Sequence, residues 1–148
     1  MVLVHTLEVF PSVDALNEAV GRAFLARLRS LIDEAQGRAR VNLAISGGAV
    51  ATSLLPSLLP RVGQVDWSRV RVWLVDERFV PAGHADRNDD QAWEGFFHAA
   101  SGVELVRMPT SDTSAPGGGC LDAATSAFEA TWTELMGTGS FDIALIGM

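Results

Sequence analysis

The sequence predicts an α/β domain built on a mostly parallel sheet that is flanked by helices. Short runs of β-branched and aromatic residues alternate along the chain with segments whose apolar residues recur every three or four positions. This alternation is typical of parallel sheets, because parallel strands are joined by crossovers that are usually helical. The length of 148 residues and the hydrophobic fraction of 48% suit one core. We therefore expect a single domain over residues 1–148.

The elements can be assigned in chain order. An edge strand is expected over residues 2–9, and Ser12 is the expected N-cap of a long first helix. The apolar face of that helix comprises Val13, Leu16, Val20, Phe24, Leu28 and Leu31. Further strands are predicted over residues 41–45, 70–75, 103–108 and 141–146. Helices are predicted over 49–55, around Trp93, Phe96 and Phe97, and over 121–135, with a loop over 110–119.

Composition excludes several classes of protein. The 11 basic and 18 acidic residues give a net charge of −7, which does not suit a nucleic-acid binder. All the basic residues are arginines, so Schiff-base chemistry on a lysine and the P-loop lysine are both excluded. The sequence also lacks tyrosine, which removes the phenol group as an acid or base.

The sequence predicts neither export nor a membrane span. No run approaches the roughly 18 apolar residues of a membrane helix, and the first ten residues lack the basic start of a signal peptide. The single cysteine, Cys120, cannot form an internal disulfide and suits a reducing compartment. We therefore expect a soluble, cytoplasmic protein. We also expect a monomer, with association as the alternative if the chain is truncated.

Two polar motifs directly follow predicted strands. Ser46, Gly47 and Gly48 lie between a strand and a helix, where glycines allow an anion to approach backbone N–H groups. Asp76-Glu77-Arg78 places two carboxylates and an arginine fork at the end of another strand. Because ligands of such sheets bind at the carboxyl ends of strands, both motifs are candidate site residues. A plain strand-to-helix turn and a surface ion-pair cluster are the respective alternatives.

A polar loop follows the second motif. His84 could act as a base or a ligand, but His84 and Asp86 have no further partner at metal-ligand spacing, so no metal site is predicted. Asn88 is the expected N-cap of the Trp93 helix, a role that is compatible with a place in the site.

Four stretches of the sequence together resemble the 6-phosphogluconolactonase family. They are Leu-Ala-Ile-Ser-Gly-Gly at 43–48, Trp-Leu-Val-Asp-Glu-Arg-Phe-Val-Pro at 73–81, residues 84–88, and Phe-Asp-Ile-Ala-Leu-Ile-Gly-Met at 141–148. The resemblance implies a Rossmann-like fold shared with glucosamine-6-phosphate deaminases and ribose-5-phosphate isomerases. It also implies hydrolysis of 6-phospho-D-glucono-1,5-lactone to 6-phosphogluconate in the oxidative pentose phosphate pathway, without a metal or an organic cofactor.

The resemblance also assigns roles to individual residues. Arg78 would contact the substrate phosphate, and Asp76 would lie near the reacting sugar in a supporting catalytic role. The other substrate-binding residues that it implies are Ser46, Gly47, Gly48, His84 and Asn88.

The sequence departs from the family in two places. Family members usually continue the glycine loop as Ser-Thr-Pro, whereas this chain has Ala-Val-Ala at 49–51. In the family, Gly-Met is followed by a Gly-x-Asp-Gly-His-x-Ala-Ser segment whose histidine is the general base, whereas Met148 is the last residue of this chain. We therefore expect the chain to be the N-terminal part of a longer lactonase domain, with the general base assigned to none of its residues. We also expect Trp132, Ile143 and Leu145 to be partly exposed.

Two other functions are alternatives to the lactonase. A sugar-phosphate isomerase or deaminase of the same fold is disfavoured, because deaminases usually carry tyrosine where Arg78 stands. Pro81 and Asn88 also favour the lactonase. The second alternative is a non-catalytic sugar-phosphate-binding fragment.

Overall fold

The computed structural model describes residues 6–36, 40–112 and 118–147. The strands are β1 Val41–Ile45, β2 Val70–Leu74, β3 Glu104–Val106 and β4 Ile143–Leu145. The α-helices are α1 Val13–Glu34, α2 Leu55–Ser57, α3 Asn88–Gly95 and α4 Leu121–Met136. The four strands form one sheet in the order β3-β2-β1-β4, and every neighbouring pair is parallel. The predicted α/β class and the parallel sheet are therefore confirmed.

The sheet has helices on both faces. Alternate residues of β1 and β2, such as Leu43 and Val72, belong to the large core that includes α1 residues such as Leu28. Trp73 points to the opposite face, where its ring lies 5.1 Å from that of Trp132 on α4. Period-two alternation therefore gives both central strands two buried faces, which explains why their sequences read as continuous apolar runs.

Helix α1 begins where the sequence predicts. The Ser12 hydroxyl accepts a hydrogen bond from the Ala15 backbone N–H at 3.2 Å, so the predicted N-cap is confirmed. Phe24 and Leu28 are buried as predicted, but Val13 and Leu16 are 61% and 41% exposed. The predicted burial of the first turn is therefore wrong, because no described element covers the amino end of this helix.

The second predicted helix is irregular. Residues Val50–Leu54 form a π-helical turn that continues into α2, and a 3-10 helix follows over Leu59–Gln64. The two prolines occupy early positions of α2 and of the 3-10 helix, and neither supplies the N–H that a regular α-helix through this segment would need. The sequence signal marks the end of regular helix but not the turns that replace it.

Some predicted boundaries are corrected. Of the strand expected over 2–9, residues 2–5 lie outside the described residues and residues 6–9 form no strand. Helix α3 ends at Gly95, so Phe96 and Phe97 lie beyond it, where they pack edge-on against Trp67. Residues 113–117 of the predicted loop also lie outside the described residues.

An ionic cluster joins the amino ends of the strands. Glu104 at the start of β3 lies 3.0 Å from the Nε atoms of both Arg40 and Arg71. Arg71 also donates to the Leu135 carbonyl near the end of α4 at 3.2 Å. This cluster lies at the edge of the sheet opposite the polar motifs. No helix within the described ranges is long and apolar enough to cross a membrane.

Candidate functional site

The carboxyl ends of β1, β2 and β4 surround an open cleft of about 180 Å³. Register pairs Ile45 with Leu74 and with Leu145, so the residues that follow these strands meet at one edge of the sheet. The cleft is lined by Ser46, Gly47, Gly48, Ala49, Asp76, Arg78, Asn88 and Gly147. The structure thus brings together six of the seven site residues predicted from the sequence.

Gly47 is required by a neighbouring side chain. A Cβ atom at this position would overlap the Asn88 side-chain amide. Gly48 has a different reason to be glycine: its φ of 57° lies in the left-handed region, and no atom stands within 4 Å of an added Cβ. One glycine therefore makes space for Asn88, and the other turns the chain.

Ser46 joins two strand ends. Its hydroxyl accepts a hydrogen bond from the Gly147 backbone N–H at 2.8 Å, and its own N–H donates to the Leu145 carbonyl at 3.0 Å. The hydroxyl thus fixes the chain after β4 against the turn after β1. This contact shapes the wall of the cleft and explains a serine at the end of β1.

Arg78 presents a largely free guanidinium to the cleft. Its side chain is 60% exposed, and its nearest carboxylate oxygen is Asp76 Oδ2 at 3.9 Å. Glu77 does not hold this guanidinium, since its carboxylate turns inward and accepts the Arg78 backbone N–H at 2.8 Å. Asp76 is therefore the one carboxylate of the motif that faces the cleft.

Asn88 does not cap α3 as predicted. It is the first residue of the helix, and its side-chain Nδ2 donates to the Asp76 carbonyl at 3.2 Å and to Asp76 Oδ1 at 3.4 Å. The cap is supplied instead by Glu77, which accepts the backbone N–H groups of Asn88 and Asp89 at 2.8 and 2.9 Å. The Asn88 side chain is consequently available to line the cleft.

His84 lies away from the cleft. It occupies an exposed loop, where its Nδ1 accepts the Asp86 backbone N–H at 3.2 Å, and it is not among the lining residues. Among residues 6–36, 40–112 and 118–147, no three His, Cys, Asp or Glu side chains converge in a way that could hold a metal ion.

Three charged residues beside the cleft are buried, which the sequence does not predict. The sequence places Glu77 in the motif and Arg87 in the stretch 84–88 without indicating the burial of either, and it gives Asp89 no role. Glu77, Arg87 and Asp89 have side chains that are 2%, 2% and 0% exposed. Arg87 and Asp89 carry opposite charges two positions apart, which is a local signal of an ion pair. Nothing local distinguishes a buried pair from a solvated one, because the burial depends on the carbonyl groups of a distant loop.

Fold and cleft together define a class of protein. A parallel α/β sheet with a glycine turn, an exposed arginine and an asparagine at its strand ends is a Rossmann-like domain whose cleft suits an anionic ligand. A profile described as "Glucosamine-6-phosphate isomerases/6-phosphogluconolactonase" matches residues 11–148, and the chain belongs to this family.

Individual relatives agree with this membership. The chain is 29% identical over 147 residues to a 6-phosphogluconolactonase of Mycobacterium tuberculosis and 30% identical over 149 residues to one of Mycobacterium leprae. Both matches cover 97% of this chain and 58% of the relative, so the chain spans little more than half the length of these relatives.

Solved structures share the fold. A putative 6-phosphogluconolactonase from Neisseria gonorrhoeae has a TM-score of 0.62 at 25% identity, covering 80% of this chain and 51% of that protein. A 6-phosphogluconolactonase from Shewanella baltica has a TM-score of 0.69 at 24% identity, with coverage of 91% and 53%. The predicted Rossmann-like fold is confirmed.

Proposed function

We propose that this chain is part of a 6-phosphogluconolactonase, which hydrolyses 6-phospho-D-glucono-1,5-lactone to 6-phosphogluconate. The observation that carries the proposal is the cleft at the strand ends, which unites Arg78, Asn88, Asp76 and the glycine turn in a chain of this family. The reaction would belong to the oxidative pentose phosphate pathway of the cytoplasm. The enzyme would act as a monomer and need no cofactor.

Arg78 and the glycine turn are the proposed phosphate site. The protein has a net charge of −7, so a dianionic substrate needs local positive potential in order to bind. The exposed Arg78 fork can form paired, charge-assisted hydrogen bonds to a phosphate. The turn adds the backbone N–H groups of Gly47 and Gly48, close to the start of a helical segment.

The phosphate contributes to catalysis although it does not react. Interactions with a remote group hold the lactone ring in the orientation that attack requires. Asp76 and Asn88 face the same cleft, where they would contact the sugar beside the reacting carbonyl. His84 would join this group only through movement of its exposed loop.

Hydrolysis further requires a base and a stabilised oxyanion. A base must remove a proton from the attacking water, and donors must stabilise the oxyanion that forms on the lactone carbonyl. The family resemblance places the base on a histidine in the segment that follows Gly-Met. We therefore assign Asp76 a supporting role and place the base in the part of the family domain that this chain does not span.

Because the relatives are longer than this chain, we propose that the chain is the N-terminal part of a longer lactonase domain. It spans 58% of its curated mycobacterial relatives. Ile143 and Leu145 on β4 and Trp132 on α4 are half-buried. This supports the proposal, because a central strand of a complete parallel sheet is covered on both faces. β4 pairs with β1 on one side only among the described residues.

Product formation by the full-length protein that contains this sequence tests the proposal. We expect conversion of 6-phosphogluconolactone to 6-phosphogluconate well above the spontaneous rate, measured by coupled oxidation of the product. Glucosamine 6-phosphate is the control substrate, and no ammonia should be released from it. Ammonia release, or lactone hydrolysis at the spontaneous rate only, would overturn the assignment.

A further inference from the structure

A buried ionic cluster lies directly behind the cleft. It consists of Glu77, Arg87 and Asp89, whose side chains are at most 2% exposed. Burial of charged groups is costly, and a buried ion pair often contributes less to stability than apolar residues of similar size would. A role in stability alone therefore gives this cluster no advantage over an apolar start to α3.

Arg87 uses its guanidinium to tie two loops together. It binds Asp89 through two hydrogen bonds, of 3.1 Å from Nε and 2.6 Å from Nη2. It also donates to the carbonyl groups of Arg78, Met108 and Pro109, at 3.1, 2.8 and 3.3 Å. The loop after β2 and the loop after β3 are thereby held to the beginning of α3.

Glu77 completes the cluster from the other side. Its Oε1 accepts the backbone N–H groups of Arg78 and Asn88, and its Oε2 accepts that of Asp89. The two carboxylates and the Arg87 guanidinium are supplemented by Arg107, whose Nη1 lies 3.3 Å from Asp89 Oδ2. The charges of the cluster are therefore matched by partners with good geometry.

The cluster holds the backbone of Arg78 and Asn88, two of the residues that line the cleft. The Arg78 backbone is held at its N–H by Glu77 and at its carbonyl by Arg87, while its side chain stays exposed. The Asn88 backbone N–H is held by Glu77, and its side chain reaches Asp76 and the space left by Gly47. The buried cluster thus fixes where both side chains begin without touching the cleft itself.

We propose that Glu77, Arg87 and Asp89 are positioning residues, which hold Arg78 and Asn88 for contact with the sugar phosphate. As regards the ligand, this inference rests on the proposed function. A displacement of about 1 Å in a binding group can reduce activity by about a hundredfold, so a cluster that fixes two such groups affects binding strongly.

Glu77→Gln is the primary test, and Glu104→Gln is its matched control. The Gln side chain keeps one acceptor oxygen but turns an amide donor toward backbone N–H groups. Glu104 is also a carboxylate at a strand end, but it pairs with Arg40 and Arg71, is 33% exposed and lies at the amino ends of the strands. Both variants should lower Tm in the full-length protein. Only Glu77→Gln should raise KM for 6-phosphogluconolactone and Kd for 6-phosphogluconate, by about tenfold or more, with a smaller change in kcat.

Amide hydrogen exchange provides a readout that does not depend on the ligand. The N–H groups of Arg78, Asn88 and Asp89 should lose protection in Glu77→Gln and keep it in Glu104→Gln. If Glu77→Gln does not fold, Arg87→Lys is the substitute variant, because it keeps the charge and loses the fork. It should lower the protection of these amides to a level between those of the wild type and an unprotected amide. If exchange at these amides stays as in the wild type while Tm falls, the cluster is merely structural and the inference is wrong.

The two proposals fail in different ways. If the wild-type protein does not bind 6-phosphogluconate, the proposed function is overturned. If Glu77→Gln nevertheless lowers the protection of these amides, the positioning of Arg78 and Asn88 by the cluster is supported. A protein that binds the ligand equally well in the wild type and in Glu77→Gln, measured at a temperature well below both Tm values, would overturn the positioning role alone.

Discussion

Individual residues at the strand ends show which parts of a site a sequence can predict. The glycine turn and Arg78 are predictable because each has a recognisable type and place after a strand. The roles of Gly47 and Glu77 are not, because they depend on contacts with Asn88 and α3, more than ten residues away. Local sequence therefore predicts which residues line the cleft but not what holds them.

The two glycines of the turn should respond differently to alanine. Gly47→Ala should displace the Asn88 side chain, since its Cβ overlaps that amide, and it should weaken 6-phosphogluconate binding markedly. In Gly48→Ala the added Cβ meets no atom within 4 Å. The free energy of unfolding should nevertheless fall by about 1–2 kcal/mol, because the backbone at this position is left-handed. Isothermal titration and chemical denaturation of both variants separate these effects. Equal losses of affinity would contradict the distinct roles.

The exposed Arg78 side chain should contribute to ligand binding and little to stability. Arg78→Ala should weaken 6-phosphogluconate binding by about 1.5–3 kcal/mol, the range for hydrogen bonds to charged groups. Arg78→Lys should lose part of this, because an ammonium lacks the planar fork. Affinity for unphosphorylated gluconate should change much less. Because the side chain is 60% exposed, Tm should hardly move. A fall in Tm with equal losses for both ligands would instead indicate a structural role.

At the scale of elements, periodicity predicts where a helix or strand lies along the chain better than it predicts what packs against that element. The core of α1, β1 and β2 is predicted correctly, because a long apolar repeat and short buried runs have few alternative structures. The predicted burial of Val13 is wrong, and the turn at 50–54 is π-helical. Both depend on what packs against an element, which its own sequence does not contain.

The amino end of α1 gives a prediction for one element. Ser12→Ala removes the hydrogen bond from the Ala15 N–H to the hydroxyl and should lower the free energy of unfolding by about 1 kcal/mol. Ser12→Asp is the matched control, since aspartate caps a helix about as well as serine. Urea denaturation of the two variants checks this. An alanine variant as stable as the aspartate variant would show that the cap contributes nothing.

At the scale of the whole molecule, the described residues leave an apolar surface open between α1 and β4. Leu16 and Ile146 are 41% and 62% exposed, and Ile143 and Leu145 are half-buried beside Leu16. Exposed apolar patches of this kind mark surfaces that pack against other protein. If the chain is part of a longer domain, this surface is uncovered when residues 1–148 are expressed in isolation.

Residues 1–148 expressed alone should associate or bind a hydrophobic dye, and should hydrolyse the lactone at least about a hundredfold more slowly than the full-length protein. Association follows from the exposed apolar surface. The slower hydrolysis follows from the loss of a general base, which typically lowers the rate by about 10²–10⁴-fold. Sedimentation and a coupled assay measure both. A monomeric 148-residue chain with a sharp thermal transition and full turnover would contradict both expectations.

The central claim is that the sugar phosphate binds at the carboxyl ends of β1, β2 and β4. Amide chemical-shift mapping of the isotopically labelled full-length protein with 6-phosphogluconate tests this most directly. Within residues 1–148, we expect the largest shifts at residues 46–49, 76–78 and 88, and none near Glu104 at the amino ends of the strands. Shifts confined to the amino ends, or to the apolar surface beside α1, would contradict the claim.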